Sequence, residues 1–214
     1  MLLSPDQRTK LDESDDARFY DQPRFVTHVD DGFIARLREL YRQQLRPGSR
    51  ILDLMSSWVS HLPEEISFAT VIGHGLNGEE LARNPRLDRW FVQNLNQDPQ
   101  LPLEDASLDA VLCCVSVQYL QRPEAVFAEI RRILVPGGQL IVSFSNRMFY
   151  SKAIAAWRDA DERTRLGLVC DYVCRTPGFA APRTIVEVSD LPPVLQMFGF
   201  GAGDPFYAVI AEAI

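Results

Sequence analysis

Basic residues, cysteines and long apolar runs are all scarce in this chain of 214 residues. Lys and Arg number 22 against 29 Asp and Glu, and the resulting net charge of −7 argues against an extended nucleic-acid-binding surface. No apolar stretch approaches the roughly 20 residues that a membrane helix needs. Residues 1–16 are too acidic for a secretory signal or a transit peptide. We therefore expect a cytoplasmic protein with no nucleic-acid partner and no membrane insertion.

The four cysteines do not form the pattern of a disulfide framework. Cys113 and Cys114 are adjacent inside an apolar run, where we expect them to pack as small apolar side chains. Cys170 and Cys174 have no further Cys or His at metal-binding spacing. A reduced, cytoplasmic environment without a metal site is the simplest interpretation.

Composition and length predict one α/β domain. Hydrophobic residues make up 46% of the chain and charged residues 24%, as in ordinary globular proteins. The polar residues 1–16 predict a flexible tail, followed by a single domain over residues 17–214. Within it, we expect residues 17–46 to form an N-terminal cap or lid and a helix, and residues 147–203 to form helices and a loop on the substrate side.

Short apolar runs alternate with amphipathic segments, which predicts a doubly wound, mostly parallel sheet. One helix is predicted between the capping pair Asp30-Asp31 and Pro47, and another over residues 123–134. Residues 148–175 also have a helical pattern. The seven candidate strands are residues 50–54, 69–73, 90–95, 108–115, 139–144, 183–188 and 206–211.

Several segments resemble the class I S-adenosylmethionine-dependent methyltransferases, and most closely the small-molecule enzymes called type 11. Residues 101–112 are similar to the family's "LPF-DxSFDxV" segment, and Val117–Leu120 stands where the family has an "LHHL"-like turn. Residues 129–140 match the "EIxRVLKPGGxL" segment, and residues 204–210 are similar to the last strand. The resemblance implies a seven-stranded Rossmann-like fold, S-adenosyl-L-methionine as cofactor and direct methyl transfer to a small molecule.

The segments that bind the cofactor in this family differ here. The family's first strand leads into a Gly-x-Gly-x-Gly loop whose bare backbone lets the cofactor approach closely. In this chain the loop contains Met55, Ser56 and Ser57 and no glycine. The family's ribose-binding acidic residue, at the end of the second strand, falls on Gly75. Asp53 preserves the acidic residue of the first strand.

Other residues can supply ligand contacts at these positions. We expect Ser56 and Ser57 to begin a helix whose free N–H groups attract an anion, although a plain helix cap is the alternative. Asn77 can replace the lost carboxylate, and Asn94 or Asn96 can face the adenine. The expected cofactor-binding residues are Asp53, Met55, Ser56, Ser57, Gly73, Gly75, Leu76, Asn77, Asn94, Leu95, Asn96, Cys114 and Val115.

No residue stands out as a catalytic base, and the candidates are Tyr20, His28 and Tyr119. Tyr20 and His28 belong to an aromatic segment before the first strand, and such segments often fold over the cofactor in related methyltransferases. Tyr119 lies beside the expected point of transfer. We expect the other two histidines, His61 and His74, to be surface or loop residues. Glu79 and Glu80 would form a solvated helix face.

Two functions stay open at this point. The first is a small-molecule methyltransferase. The alternative is a catalytically silent methyltransferase-fold protein with a binding or regulatory role or an altered ligand, which the simultaneous loss of three glycines and the ribose carboxylate favours. A nicotinamide-dependent oxidoreductase is disfavoured because Gly-x-Gly-x-x-Gly is missing. The aromatic residues available to line an apolar acceptor pocket are Phe149, Tyr150, Trp157, Phe198 and Phe200.

Overall fold

Seven strands form a single sheet in the computed structural model, which describes residues 2–188 and 203–214. The strands are β1 (Arg50–Leu54), β2 (Thr70–Gly75), β3 (Arg89–Val92), β4 (Leu108–Cys114), β5 (Leu134–Phe144), β6 (Arg183–Glu187) and β7 (Phe206–Glu212). Their order in the sheet is β3-β2-β1-β4-β5-β7-β6. Only β7 runs antiparallel to its neighbours, β5 and β6. The predicted mostly parallel, seven-stranded sheet is confirmed.

The helices cover both faces of this sheet. They are α1 (Asp16–Phe19), α2 (Asp31–Gln44), α3 (Gly78–Ala82), α4 (Pro123–Ile133), α5 (Ala155–Arg158) and α6 (Glu162–Cys174), with 3-10 turns at Asp6–Arg8 and Val117–Tyr119. The Asp30 carboxylate accepts from the Phe33 N–H at 2.7 Å and starts α2, as predicted. The helical pattern of residues 148–175 corresponds to two separate helices, α5 and α6, rather than one.

Two hydrophobic clusters enclose the central strands. On one face, α2 buries Phe33, Leu37 and Tyr41 against β1, β2 and β4. On the other face, α4 and α6 pack against β4 and β5. Because both faces are covered, the central strands are almost entirely apolar. This burial fixes the carboxyl ends of β1, β2 and β4 side by side.

The connection from β1 to β2, residues 55–69, contains no helix. The prediction that Ser56 and Ser57 begin one is therefore wrong. The Ser56 N–H instead donates to the His74 carbonyl at 2.6 Å, which holds the chain in an extended path along β2. Pro63 further along also disfavours a regular helix. The loop after β1 is thus built from side-chain and cross-strand contacts.

Residues 2–16, predicted as a flexible tail, pack against the domain. Leu3 is 2% exposed and belongs to the main hydrophobic cluster. Arg8 forms an ion pair with Glu124 at 2.7 Å. The apolar and charged residues of this segment are thus used for packing, which composition alone does not indicate.

A further difference concerns the residue at which β5 begins. β5 begins at Leu134, five residues before the predicted start, and carries Gly137 at a φ of 78°. The left-handed φ is accessible to glycine without steric cost, so the strand bends there instead of starting afterwards.

The predicted loop residues Phe198 and Phe200 lie outside the described residues.

Candidate ligand-binding site

A cavity of about 290 Å³ lies at the carboxyl ends of β1, β2 and β4. Residues 16–29 form its roof, together with residues 147–152 from beyond β5. Every residue predicted to bind the cofactor lines this cavity except Gly73, and so do the three candidate catalytic residues. The structure thus brings the predicted residues together, while their roles as ligands stay predictions.

Gly73 has a packing role instead. A Cβ at this position would lie 2.3 Å from Cδ1 of Leu87. The glycine therefore allows the Leu87 side chain to close over β2.

His74 is the residue that organises the loop after β1, and its predicted place on the surface or in a loop is wrong, because it is a buried residue of β2. It is 1% exposed. Its Nδ1 accepts from the Met55 N–H at 3.1 Å, and its Nε2 lies 2.9 Å from the Gln93 carbonyl. These contacts require a neutral imidazole that donates from Nε2, and burial lowers the pKa of His74 to about 4. One imidazole thereby ties the β1 loop to the end of β3.

Met55 occupies the position where the family has a bare glycine backbone. Its φ of 57° lies in the left-handed region, where a side chain is strained. The hydrogen bond to His74 holds it there. The chain therefore keeps a glycine-like backbone turn at this point, and also carries a Met side chain that faces the cavity.

Asp53 ends β1 as a buried carboxylate, 4% exposed. Ser56 Oγ donates to it at 2.5 Å. Burial raises the pKa of Asp53 to about 6, although hydrogen bonds from Ser56 and Ser60 act in the opposite direction. Asn84 completes the network by donating to Ser60 Oγ at 2.8 Å. The loop's own hydroxyl groups thus tie the end of β1 to the residues that follow it.

Gly75 is required by the path of this loop. A Cβ at residue 75 would lie 2.6 Å from the Ser56 carbonyl oxygen. The space into which an acidic side chain would project from the end of β2 is therefore filled by backbone. An acidic residue at this position would need the loop to move.

The Asn77 amide is hydrogen-bonded within the protein at both of its ends. Its Oδ1 accepts from the N–H groups of Glu79 and Glu80 at 2.9 and 3.0 Å, which caps α3. Its Nδ2 donates to the carbonyls of Tyr20 and Asp21 at 2.8 and 3.1 Å. These contacts join α3 to the roof segment, and a ribose contact from Asn77 stays a prediction.

Asn96 is similarly committed. Its Nδ2 donates to Asp16 at 2.9 Å and to the Tyr119 carbonyl at 3.0 Å, and its Oδ1 accepts from the Gln121 N–H at 2.8 Å. Asn94 Oδ1 accepts from the Asn96 N–H at 3.0 Å. These amides shape the cavity wall more than they offer free groups to an adenine.

Glu80 is a cavity residue that the sequence interpretation placed on a solvated helix face. It is 7% exposed and lines the cavity. Its two oxygens accept from the Arg24 N–H at 2.7 Å and from Ser57 Oγ at 2.5 Å. The spacing Asn77-x-x-Glu80 was the available signal, because the third helical residue after such a cap directs its side chain back over the helix start.

The roof of the cavity is aromatic and is assembled around Arg24. Its guanidinium lies 4.5 Å from the ring centre of Phe19, 5.6 Å from Tyr20 and 5.3 Å from Phe149. The His28 ring lies 5.3 Å from Phe149. Residues from the N-terminal segment and from beyond β5 thus meet above the strand ends.

A buried charge network anchors this roof. Lys10 pairs with Asp16 at 2.6 Å, and Lys152 lies 3.1 Å from Asp12 and 3.4 Å from Asp16. Both lysines are buried, and desolvation lowers the pKa of Lys10. Removing one partner of such a network leaves an uncompensated buried charge, so it fixes the path of the N-terminal segment.

The three candidate catalytic residues differ in their protonation. Burial raises the pKa of Tyr20, and it raises the pKa of Tyr119 to about 12. The Tyr119 hydroxyl also accepts from the Phe149 N–H at 2.9 Å. Both phenols therefore stay protonated at neutral pH. Burial lowers the pKa of His28, so its imidazole is neutral there and able to accept a proton.

The remaining predictions concern thiols, metals and membranes. Burial raises the pKa of both Cys113 and Cys114 to about 12, which keeps them as inert thiols. Residues 2–188 and 203–214 contain no cluster of three His, Cys, Asp or Glu side chains placed to hold a metal. In the same ranges, no helix combines the length and apolarity needed to span a bilayer.

The sequence of this chain is similar to those of methyltransferases. Residues 57–142 match the family described as "Methyltransferase domain". The malonyl-[acyl-carrier protein] O-methyltransferase of Hahella chejuensis is 30% identical over 112 residues, which is 50% of this chain and 39% of that protein. The probable tRNA methyltransferase 9B of Homo sapiens is 32% identical over 112 residues, 50% of this chain and 23% of that protein. The matches thus span well under half the length of either relative.

The structural similarity to methyltransferases extends beyond residues 57–142. Geranyl diphosphate C-methyltransferase from Streptomyces coelicolor A3(2), in complex with S-adenosyl-L-homocysteine, superposes with a TM-score of 0.56 at 13% identity. The superposition covers 92% of this chain and 97% of that chain. At this identity, the likeness shows the fold alone. The chain therefore has the Rossmann-like methyltransferase fold and resembles the class I S-adenosylmethionine-dependent methyltransferases of type 11.

Proposed function

We propose that the chain is an S-adenosylmethionine-dependent methyltransferase that acts on a small molecule. The observation that carries this proposal is the roofed cavity at the carboxyl ends of β1, β2 and β4. In open α/β sheets, ligands bind at this edge of the sheet. The methyltransferase likeness of residues 57–142 covers the strands β2 to β4 that form much of its wall.

The cavity offers the cofactor a different set of contacts from a glycine loop. Gly75 supplies no carboxylate, but Glu80 brings one to the same edge of the sheet. The aromatic roof residues Tyr20 and Phe149 supply flat apolar surface. These groups suit a ligand with hydroxyl donors and an aromatic ring, which is the composition of an adenosyl group.

The chain's own residues would position the acceptor and exclude water. S-adenosylmethionine carries a reactive methyl group on its sulfonium, so alignment and enclosure are the main requirements. The roof segment, residues 16–29, provides the enclosure. The neutral imidazole of His28 can receive the proton that an acceptor loses on methylation. A roofed cavity and a net charge of −7 favour a small acceptor over a nucleic acid.

The test uses S-adenosylmethionine with an isotope-labelled methyl group and a cell extract divided into small-molecule, protein and RNA fractions. We expect label in the small-molecule fraction, dependent on native protein and suppressed by excess S-adenosylhomocysteine. Label confined to protein or RNA would overturn the proposed substrate class. A complete lack of transfer from all three fractions would contradict methyl transfer itself.

A second candidate function is a methyltransferase fold that binds a ligand without catalysis. The observation that favours it is the Ser56 carbonyl, which fills the space of an acidic side chain at residue 75. Titration with S-adenosylhomocysteine separates the two, because a protein that has lost the cofactor site shows no binding at millimolar concentration.

A further inference from the structure

We propose that Glu80 is the carboxylate that receives the ribose hydroxyl groups of the ligand in this cavity, in place of any side chain at residue 75. The inference rests on the proposed function, because S-adenosylmethionine supplies the ribose. It assigns to α3 a contact that the resemblance places on β2.

Residue 75 is unable to carry an acidic side chain into the cavity. The Ser56 carbonyl would lie 2.6 Å from a Cβ there, and Leu81 closes the same space at 3.3 Å. Real Cβ atoms do not approach a backbone oxygen this closely. A ligand in this cavity therefore needs a different acceptor near the end of β2.

The carboxylate of Glu80 has hydrogen-bond acceptor sites that the protein itself does not fill. Its carboxylate is buried and lines the cavity, and it accepts one hydrogen bond from Arg24 and one from Ser57. An ionised carboxylate has about four acceptor sites. Among the residues that the structure describes, no Lys, Arg or His forms an ion pair with it. A buried carboxylate with spare acceptor capacity favours a ligand that brings further donors.

The two hydrogen bonds that Glu80 accepts come from two different parts of the cavity wall. Ser57 belongs to the loop after β1, and Arg24 belongs to the roof. Glu80 therefore stands where the loop after β1 meets the roof, and both orient its oxygens. Two neighbouring hydroxyl groups on one ring match a carboxylate held in this way, since each oxygen can accept from one hydroxyl.

The test compares wild type with Glu80→Gln by calorimetric titration. Gln is nearly isosteric and keeps an acceptor for the Arg24 N–H, so the fold is expected to persist. Glu79→Gln is the matched control, because Glu79 is the exposed neighbour on the same helix. The ligands are S-adenosylmethionine, S-adenosylhomocysteine and the 2′-deoxy and 3′-deoxy forms of S-adenosylhomocysteine.

We expect Glu80→Gln to weaken S-adenosylhomocysteine binding about tenfold or more and Glu79→Gln to leave it unchanged. The loss is expected to shrink for a deoxy ligand, which a merely structural defect would not produce. Equal losses for the deoxy and parent ligands would overturn the ribose contact. A loss confined to S-adenosylmethionine would also overturn it and assign Glu80 to the sulfonium charge. Wild-type binding that Glu80→Gln leaves intact would overturn this inference alone, whereas no wild-type binding would overturn the proposed function as well.

Discussion

The two halves of the sheet are built by different means. The half formed by β4, α4 and β5 follows the family sequence pattern and turns its chain with glycine, at Gly137. The half formed by β1, β2 and β3 keeps the strands but holds its first loop with side chains. His74 bonds to Met55 and Gln93, and Asp53 bonds to Ser56. The fold and the ligand-contacting loops of this architecture can therefore change separately.

The largest effect is expected at residue 75. Gly75→Asp would make the sequence more like the family, yet its Cβ would collide with the Ser56 carbonyl. We expect a loss of about 3 kcal/mol or more in the free energy of unfolding, from overpacking and burial of a charge. Gly78→Ala is the control, because a Cβ there would make ordinary contacts with the Trp90 ring at 3.4 Å and with Val92 at 3.7 Å. Denaturant titration measures both. A Gly75→Asp protein as stable as wild type would show that the loop after β1 moves to admit a side chain at residue 75, and would contradict its fixed position.

The next largest effect is expected at His74, whose imidazole holds the glycine-free loop after β1 in place. His74→Phe retains a ring but leaves the Met55 N–H and the Gln93 carbonyl without their partner. We expect a loss of about 2–3 kcal/mol, since each unsatisfied buried group costs about 1–3 kcal/mol. His28→Phe provides the comparison from the roof, where we expect less than about 0.5 kcal/mol. Similar losses in the free energy of unfolding for both variants would contradict the organising role of His74.

The pH dependence of stability is expected to differ in sign between the halves. The raised pKa of Asp53, about 6, means that the folded protein binds a proton that the unfolded chain releases near pH 4. Stability from this group therefore falls as pH rises from about 4 to about 6. Asp53→Asn removes that loss, so we expect it to be about 2 kcal/mol more stable than wild type at pH 7 and equal to it near pH 4.

Asp109 in β4 supplies the opposite case. Its hydrogen-bonded pairing with Arg50 lowers the pKa of Asp109, so its contribution is present at neutral pH and is lost as pH falls below about 4. Asp109→Asn is therefore expected to lower stability at pH 7 and to converge with wild type in acid. Chemical denaturation from pH 3 to pH 8 compares the two variants. Parallel curves for Asp53→Asn and wild type would contradict a raised pKa of Asp53.

The smallest effect is expected in the half that follows the family pattern. Gly137→Ala places a side chain at a φ of 78° in open space, so only backbone strain opposes it. We expect a loss of about 1 kcal/mol. Gly167→Ala, in α6 and also in open space, is expected to stabilise by about 0.5–1 kcal/mol because alanine favours a helix. A change of the same sign at both positions would contradict the left-handed turn at Gly137.

The sequence predicted the sheet well because burial on both faces leaves continuous apolar runs, and it predicted the start of α2 from Asp30. It also located the cavity, since loops at the carboxyl ends of parallel strands converge. It failed where side chains bond across long separations. The burial of His74 depends on Gln93 and Met55, and the position of Glu80 depends on Ser57 and Arg24. Apart from the Asn77-x-x-Glu80 spacing, which directs Glu80 over the start of α3, no local pattern encodes such pairings.

The most direct test of the account is a crystal structure of the protein grown with S-adenosylhomocysteine. We expect the ligand in the cavity under residues 16–29, with its ribose hydroxyls within hydrogen-bonding distance of Glu80 and with the loop after β1 still bonded to His74. A saturating concentration that leaves the cavity without ligand, or a ribose bound beside Gly75 after the loop has moved, would contradict the account.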